Sequence, residues 1–203
     1  RRQRQMCIRD RGRMLALDIA RGAVGLDGKT ILPLRFAMSR DPEMLRTSHE
    51  EAARAVKEYL DAGQDVAMLN LGDVSIYATA AYLADILAAD GYETRMVPGV
   101  TSFCAVAARL NTSLTGIDTP LHIVPGGCGA LEECLAQPGA KVLMKSGKAI
   151  GETAAALSRH GLAEASAMVA DCGLPTQQVF ETMTGLPEKI SYFATVIVPD
   201  SKE

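Results

Sequence analysis

From residue 14 onward, short apolar runs alternate with segments whose apolar residues recur at helical spacing, and a glycine or proline closes most of them. Residues 48–62 predict a helix. Ser48 and Glu51 make the S-x-x-E capping pair, Ala52, Val56, Tyr59 and Leu60 share a face, and Gly63 suits a left-handed stop. Residues 65–71 (DVAMLNL) are apolar on both faces and predict a central parallel strand covered on two sides. A helix over 75–90 stopped by Gly91, a strand over 92–97 cut off by Pro98 and Gly99, and a helix over 101–110 complete this first series. A second series predicts a strand at 122–125, a short helix at 130–136, a strand at 141–145 and a helix at 150–160 stopped by Gly161. Strands at 165–170, 178–183 and 192–198 follow. No crossover helix fits between the last two, so they are expected to pair antiparallel. The break at 116–120 sets a domain boundary near Thr119. The expected fold is therefore α/β: two small α/β domains, 1–119 and 120–203, sharing a cleft, with ligands at the carboxyl ends of strands.

Composition narrows the function classes. The chain has 203 residues with 48% apolar and 22% charged, which fits folded domains and excludes a disordered chain. Tryptophan is absent and aromatics are 4%, which removes the usual stacking platform for single-stranded nucleic acid. The net charge is −3, yet residues 1–13 hold six arginines against one aspartate, so the body is acidic. A basic fringe can bind phosphates, but the expectation is a protein with no nucleic-acid partner. The opening RRQRQMCIRDRG lacks apolar periodicity and resembles translated adapter sequence, so residues 1–13 are read as foreign to the fold. No apolar run reaches the length of a membrane span, which leaves no membrane partner and a cytoplasmic location as the expectation. Five scattered cysteines without a C-x-x-C pair read as reduced thiols. His122, Cys128 and Cys134 match no zinc spacing, so no metal is expected.

Three strand ends carry candidate chemistry. After the strand at 65–71 comes Leu71-Gly72-Asp73, where Gly72 allows close backbone approach. Asp73 either accepts from a ligand's amine or hydroxyl or caps a helix starting at Ser75. Pro98-Gly99-Val100-Thr101-Ser102 opens a helix whose amides and two hydroxyls suit a carboxylate, and a plain capped turn explains the same letters. Met144 and Lys145 end a strand in the second half. No dinucleotide fingerprint, P-loop or nucleophile elbow is present. His49 and His160 read as surface groups.

In combination the segments say more. LNLGDVSIY, GYETRMVPGVTSFCAVAARLNTSLT, HIVPGG, VLMKSG, VADCGLPTQQV and YFATVIV, in this order from about residue 14 to 198, resemble the tetrapyrrole methylase family. The resemblance implies a two-domain α/β homodimer that holds S-adenosylmethionine between its domains and methylates a tetrapyrrole in cobalamin biosynthesis. PGVTSFCAVAARL and YFATVIV lean toward the branch that acts at C20 of precorrin-2 or cobalt-factor II. Carried over by motif, the cofactor contacts are Leu71, Gly72, Asp73, Ile76, Thr101, Ser102, Met144 and Cys172. Arg35, Arg40, Lys145 and Lys148 are cations for the substrate's carboxylates, each readable also as a solvated charge. Two departures stand out. Val74 occupies the position where the family has proline, and the family's first strand and glycine-rich loop are expected to be missing. A sister methylase acting at another ring carbon and a catalytically silent binding module are the alternatives.

Overall fold

The computed structural model describes residues 4–8, 14–37, 39 and 41–200. The chain divides into two compact units, 1–99 and 100–203. The division falls upstream of Thr119 for a physical reason. The helix after Thr101 buries Val106 and Ala107 against Val169 and Ile197, residues of the second sheet, and so belongs to that unit.

The first unit contains β1 (Arg4–Ile8), α1 (Leu15–Ala23), β2 (Ile31–Leu34), α2 (Pro42–Asp61), β3 (Val66–Leu69) and α3 (Thr79–Ala89). Its sheet is parallel in the order β2-β1-β3. Two expectations are overturned here. Residues 4–8, set aside as foreign, supply the middle strand, so a first strand is present, and the strand at 65–71 lies at the edge among the described residues rather than in the centre. Backbone pairing asks only that a segment be extended and in register, and Arg4–Ile8 (RQMCI), with one arginine and the apolar Met6, Cys7 and Ile8, meets that condition although arginines flank it. The core is Leu34, Ala52, Ala53, Val56, Leu83 and Leu87.

Helix α2 starts earlier than the capping pair suggested. Asp41 Oδ1 accepts from the Glu43 amide at 3.0 Å, Pro42 occupies the first turn, and Ser48 Oγ instead accepts from the Ala37 amide at 2.8 Å. The stops at Gly63, Gly91 and Gly161 hold, all with positive φ. Residues 92–97 form no strand in the described structure. Met96 and Val97 are exposed, so burial adds nothing to an extended pairing there.

The second unit contains α4 (Ser102–Leu110), β4 (Leu121–Pro125), α5 (Leu131–Ala136), β5 (Ala140–Met144), a 3₁₀ turn (Ser146–Ala149), α6 (Ile150–Arg159), β6 (Ala167–Ala170), β7 (Gln178–Phe180) and β8 (Ala194–Val198). The order is β4-β5-β8-β6-β7. Strand β8 runs antiparallel to β5 and β6, and β7 pairs with β6. The expected β7–β8 pair is therefore absent, because β6 lies between them and the chain after β7 travels far enough to reach a central slot. Side chains alternate across this sheet. Leu143, Met168, Ala170, Ala194, Val196 and Val198 face the core under α5 and α6, whereas Val169 and Ile197 face α4.

Candidate functional site

In the first unit, the loop after β3 is built around one carboxylate. Asp73 Oδ1 accepts from the Ser75 amide at 2.8 Å and from the Ser75 hydroxyl, and Oδ2 accepts from the Gly99 amide at 2.7 Å. The Ser75 hydroxyl, then the amides of Gly99 and Ser75, hold the Asp73 carboxyl below its ordinary value. Helix α3 begins only at Thr79, so Asp73 is not its cap. It ties the β3 exit to Gly99 instead. Glycine at 99 allows this close approach, since a Cβ there would collide with the Gly72 carbonyl unless the loop shifted, and Gly72 itself takes φ +73°. Leu71 is exposed at the tip and Ile76 is half-buried. The structure thus gathers Leu71, Gly72, Asp73 and Ile76 on one loop.

In the second unit, strand register does the gathering. Pro125 is opposite Met144, Met144 is opposite Thr195, and Ala170 is opposite Ala194, so the carboxyl ends of β4, β5 and β6 share one edge with the start of β8. Alternation turns Met144 and Thr195 toward the face covered by α4. Ser102 Oγ lies 3.4 Å from Thr195 Oγ1, which brings the amino end of α4 to that edge. Cys172, two residues past β6, lies against the Val106, Val169 and Ile197 cluster, and burial pushes its thiol pKa up. Thr101, Ser102 and Met144 are therefore gathered with Thr195 at one sheet edge, whereas Cys172 lies against the Val106 cluster, within electrostatic reach of Arg109 near the far end of α4. Thr101 is the N-cap position of α4, yet its hydroxyl makes no cap bond, and Oγ1 is buried with no hydrogen-bond partner among the described residues. A native fold rarely leaves such a group unpaired. A polar ligand atom arriving at the amino end of α4 would satisfy it.

One residue of this edge, Thr195, was not anticipated, whereas Lys145 and Lys148 were. Thr195 lies inside the YFATVIV run, but its facing became visible only once β8 was seated between β5 and β6. Lys145 follows β5 with φ +58°, and burial pushes its ammonium pKa down. Lys148 Nζ stands 5.7 Å from the centre of the Tyr192 ring. Arg35 belongs to the first unit, where it lines a groove of about 610 Å³ with Phe36, Asp41 and Glu51. Arg40 lies outside the described residues. His49 is half-buried and stacks on Tyr82 at 5.1 Å, while His160 Nε2 bonds Glu132 at 2.8 Å, so each has a local role. His122 Nε2 is engaged with the Pro138 carbonyl at 2.9 Å. No helix among the described residues is long and apolar enough to cross a membrane.

An α/β chain with polar groups collected at strand ends, one of them buried and unpaired, is the frame of a small-molecule enzyme. The profile of the Tetrapyrrole (Corrin/Porphyrin) Methylases matches residues 6–186, and the chain belongs to that family. Members of this family use S-adenosylmethionine as methyl donor. A cobalt-precorrin-2 C(20)-methyltransferase of Salmonella typhimurium is 30% identical over 193 residues, covering 92% of this chain and 80% of that protein. A precorrin-2 C(20)-methyltransferase of Sinorhizobium sp is 28% identical, covering 84% and 72%. Among solved structures, the uroporphyrin-III C-methyl transferase from Thermus thermophilus complexed with S-adenosyl homocysteine has a TM-score of 0.64 and 18% identity. The match covers 95% of this chain and 84% of that one, and it speaks to the fold alone.

Proposed function

We propose that this chain transfers a methyl group from S-adenosylmethionine to C20 of precorrin-2, or of its cobalt-loaded form, in cobalamin biosynthesis, as a homodimer. The observation that carries the cofactor half is the buried, unpartnered Thr101 hydroxyl at the amino end of α4, in the row of Ser102, Thr195 and Met144. The ring position is supported by two relatives that bear the C(20) name and match most of the chain.

Bound S-adenosylmethionine would supply an already activated methyl to the electron-rich ring carbon and leave as S-adenosyl homocysteine, the displaced ring proton passing to a base, so no nucleophilic side chain is required. The protein's part is placement and exclusion of water. In this reading Thr101 and Ser102 bond the donor's polar groups, and Met144 and Cys172 cover its apolar surface. Leu71, Gly72, Asp73 and Ile76 are further contacts by family position. Three donors already occupy Asp73, and a carboxylate has about four lone-pair sites, so one acceptor site on Oδ2 remains for a ligand. Its larger duty is to hold Gly72 against Gly99. Lys145 and Lys148 beside the second edge supply positive charge for a substrate rich in carboxylates.

Incubation with the methyl-¹³C donor and precorrin-2, followed by NMR assignment of the labelled carbon, tests the reading. Label at C20 is expected. Label at another ring carbon overturns the C20 assignment, and titration calorimetry with S-adenosyl homocysteine that registers no heat overturns the cofactor half.

A further inference from the structure

Asp171 is the first residue past β6, and it adopts φ +52°, a left-handed conformation uncommon outside glycine and asparagine. Both of its carboxylate oxygens are engaged, in two directions. Oδ2 accepts from the Thr176 hydroxyl at 2.8 Å, which closes the turn carrying Cys172, and Oδ1 accepts from the Ser191 hydroxyl, on the segment that leads into β8. Its backbone joins the same two places. The Asp171 carbonyl accepts from the Leu174 amide at 2.9 Å, and the Asp171 amide donates to the Phe193 carbonyl at 3.1 Å. Ser191 Oγ in turn accepts from the Phe193 amide at 3.3 Å. On its other side the Ser191 backbone lies so close to Gly147, in the 3₁₀ turn after β5, that a Cβ on Gly147 would collide with the Ser191 carbonyl. The stretch from Ser191 to Phe193 is thus held by Asp171 from β6 and by Gly147 from β5, one residue before Ala194 and Thr195 enter the sheet.

We infer that Asp171 is a positioning residue whose carboxylate clasps the carboxyl end of β6 to the start of β8, setting the row on which Thr195 and Met144 stand. The inference rests on the proposed cofactor reading of that edge. A β8 free to shift there would carry Thr195 away from Ser102 and change the opening above the Thr101 hydroxyl. The carboxylate suits the task because its two oxygens serve two hydroxyls at once. Aspartate also tolerates the left-handed backbone better than most side chains.

Three variants separate the side chain from the backbone. Asp171→Gly removes the clasp and relaxes the φ requirement, Ser191→Ala removes one hydroxyl and leaves the backbone alone, and Asp171→Asn keeps the shape and one acceptor. Two quantities are read on each: amide hydrogen exchange at residues 171 and 193 in the free protein, and the Kd for S-adenosyl homocysteine by calorimetry. Asp171→Gly and Ser191→Ala are expected to speed exchange at both amides and to raise the Kd roughly tenfold, with Asp171→Asn within about threefold of wild type. Unchanged exchange in Asp171→Gly overturns the clasp whatever the ligand does. A lowered thermal midpoint with an unchanged Kd overturns the positioning role. Failure of the wild-type chain to bind S-adenosyl homocysteine overturns the proposed function instead, and the exchange rates then decide the clasp by themselves.

Discussion

The two sets of strand-end residues are built in opposite ways. In the first unit, Leu71, Gly72, Asp73 and Ile76 stand on a largely exposed loop whose shape depends on one carboxylate reaching the Ser75 and Gly99 amides. In the second, Met144 and Thr195 belong to strands β5 and β8, every residue of which is buried, and their placement follows from register. A loop closed by a few exposed hydrogen bonds opens at small cost, whereas a register set by buried side chains cannot slip without turning the whole strand inside out. The first arrangement suits adjustment to a ligand, and the second suits a fixed platform.

The sharpest way to break this contrast is to remove equivalent volume from each sheet. Met168, on β6, is fully buried, whereas Met68 on β3 is half-buried. Met168→Ala is expected to cost about 3 kcal/mol in urea denaturation and Met68→Ala about 1 kcal/mol. Equal losses would mean that the two sheets are alike in rigidity. Next in size are the glycine contacts. Gly147→Ala drives a Cβ into the Ser191 backbone carbonyl inside the second unit and is expected to cost about 2 kcal/mol, and Gly99→Ala about half of that because the loop at Gly72 can shift. A reversed order in denaturation midpoints would sink the idea that the first loop yields.

Thr101→Val probes the platform without disturbing its packing. Because the hydroxyl has no partner among the described residues, stability should change by less than about 1 kcal/mol, while the Kd for S-adenosyl homocysteine rises about tenfold, equivalent to about 1.4 kcal/mol. An unchanged Kd returns that hydroxyl to a structural defect. The smallest effect concerns acid. The Asp73 carboxyl is held below its usual 3.8 in the folded state, so its link to Gly99 contributes above that value and is lost as pH falls through the lower folded value. Protection of the Gly99 amide from hydrogen exchange should fall in that acidic window in wild type. In Asp73→Asn it should be weak at every pH, and a wild-type profile in that variant would assign the protection to something else.

Much of the fold was legible in the sequence where the cause is local. Gly63, Gly91 and Gly161 each end a helix because a left-handed residue is needed right there, and the α6 residues Ile150, Ala156 and Leu157 declare their buried face by spacing. The start of α2 was legible too, in Asp41-Pro42-Glu43, but the S-x-x-E letters at Ser48 matched the same rule more conspicuously. The candidate residues at Thr101, Met144 and Cys172 could be found because strand ends followed by helices or turns are recognisable in one dimension.

What the sequence by itself determined, then, is which segments become helices and strands, where most of them stop, and which residues stand at their ends, since each of these depends on neighbours a few positions away. Only the tertiary structure decided that residues 4–8 form the middle strand of the first sheet, that β8 enters between β5 and β6, that α4 joins the second unit, and that Asp171 reaches Ser191. Those outcomes turn on pairing between segments far apart in the chain. The hydrogen bonds of a strand are the same for many possible partners, and the choice among them is made by the burial of whole faces at once.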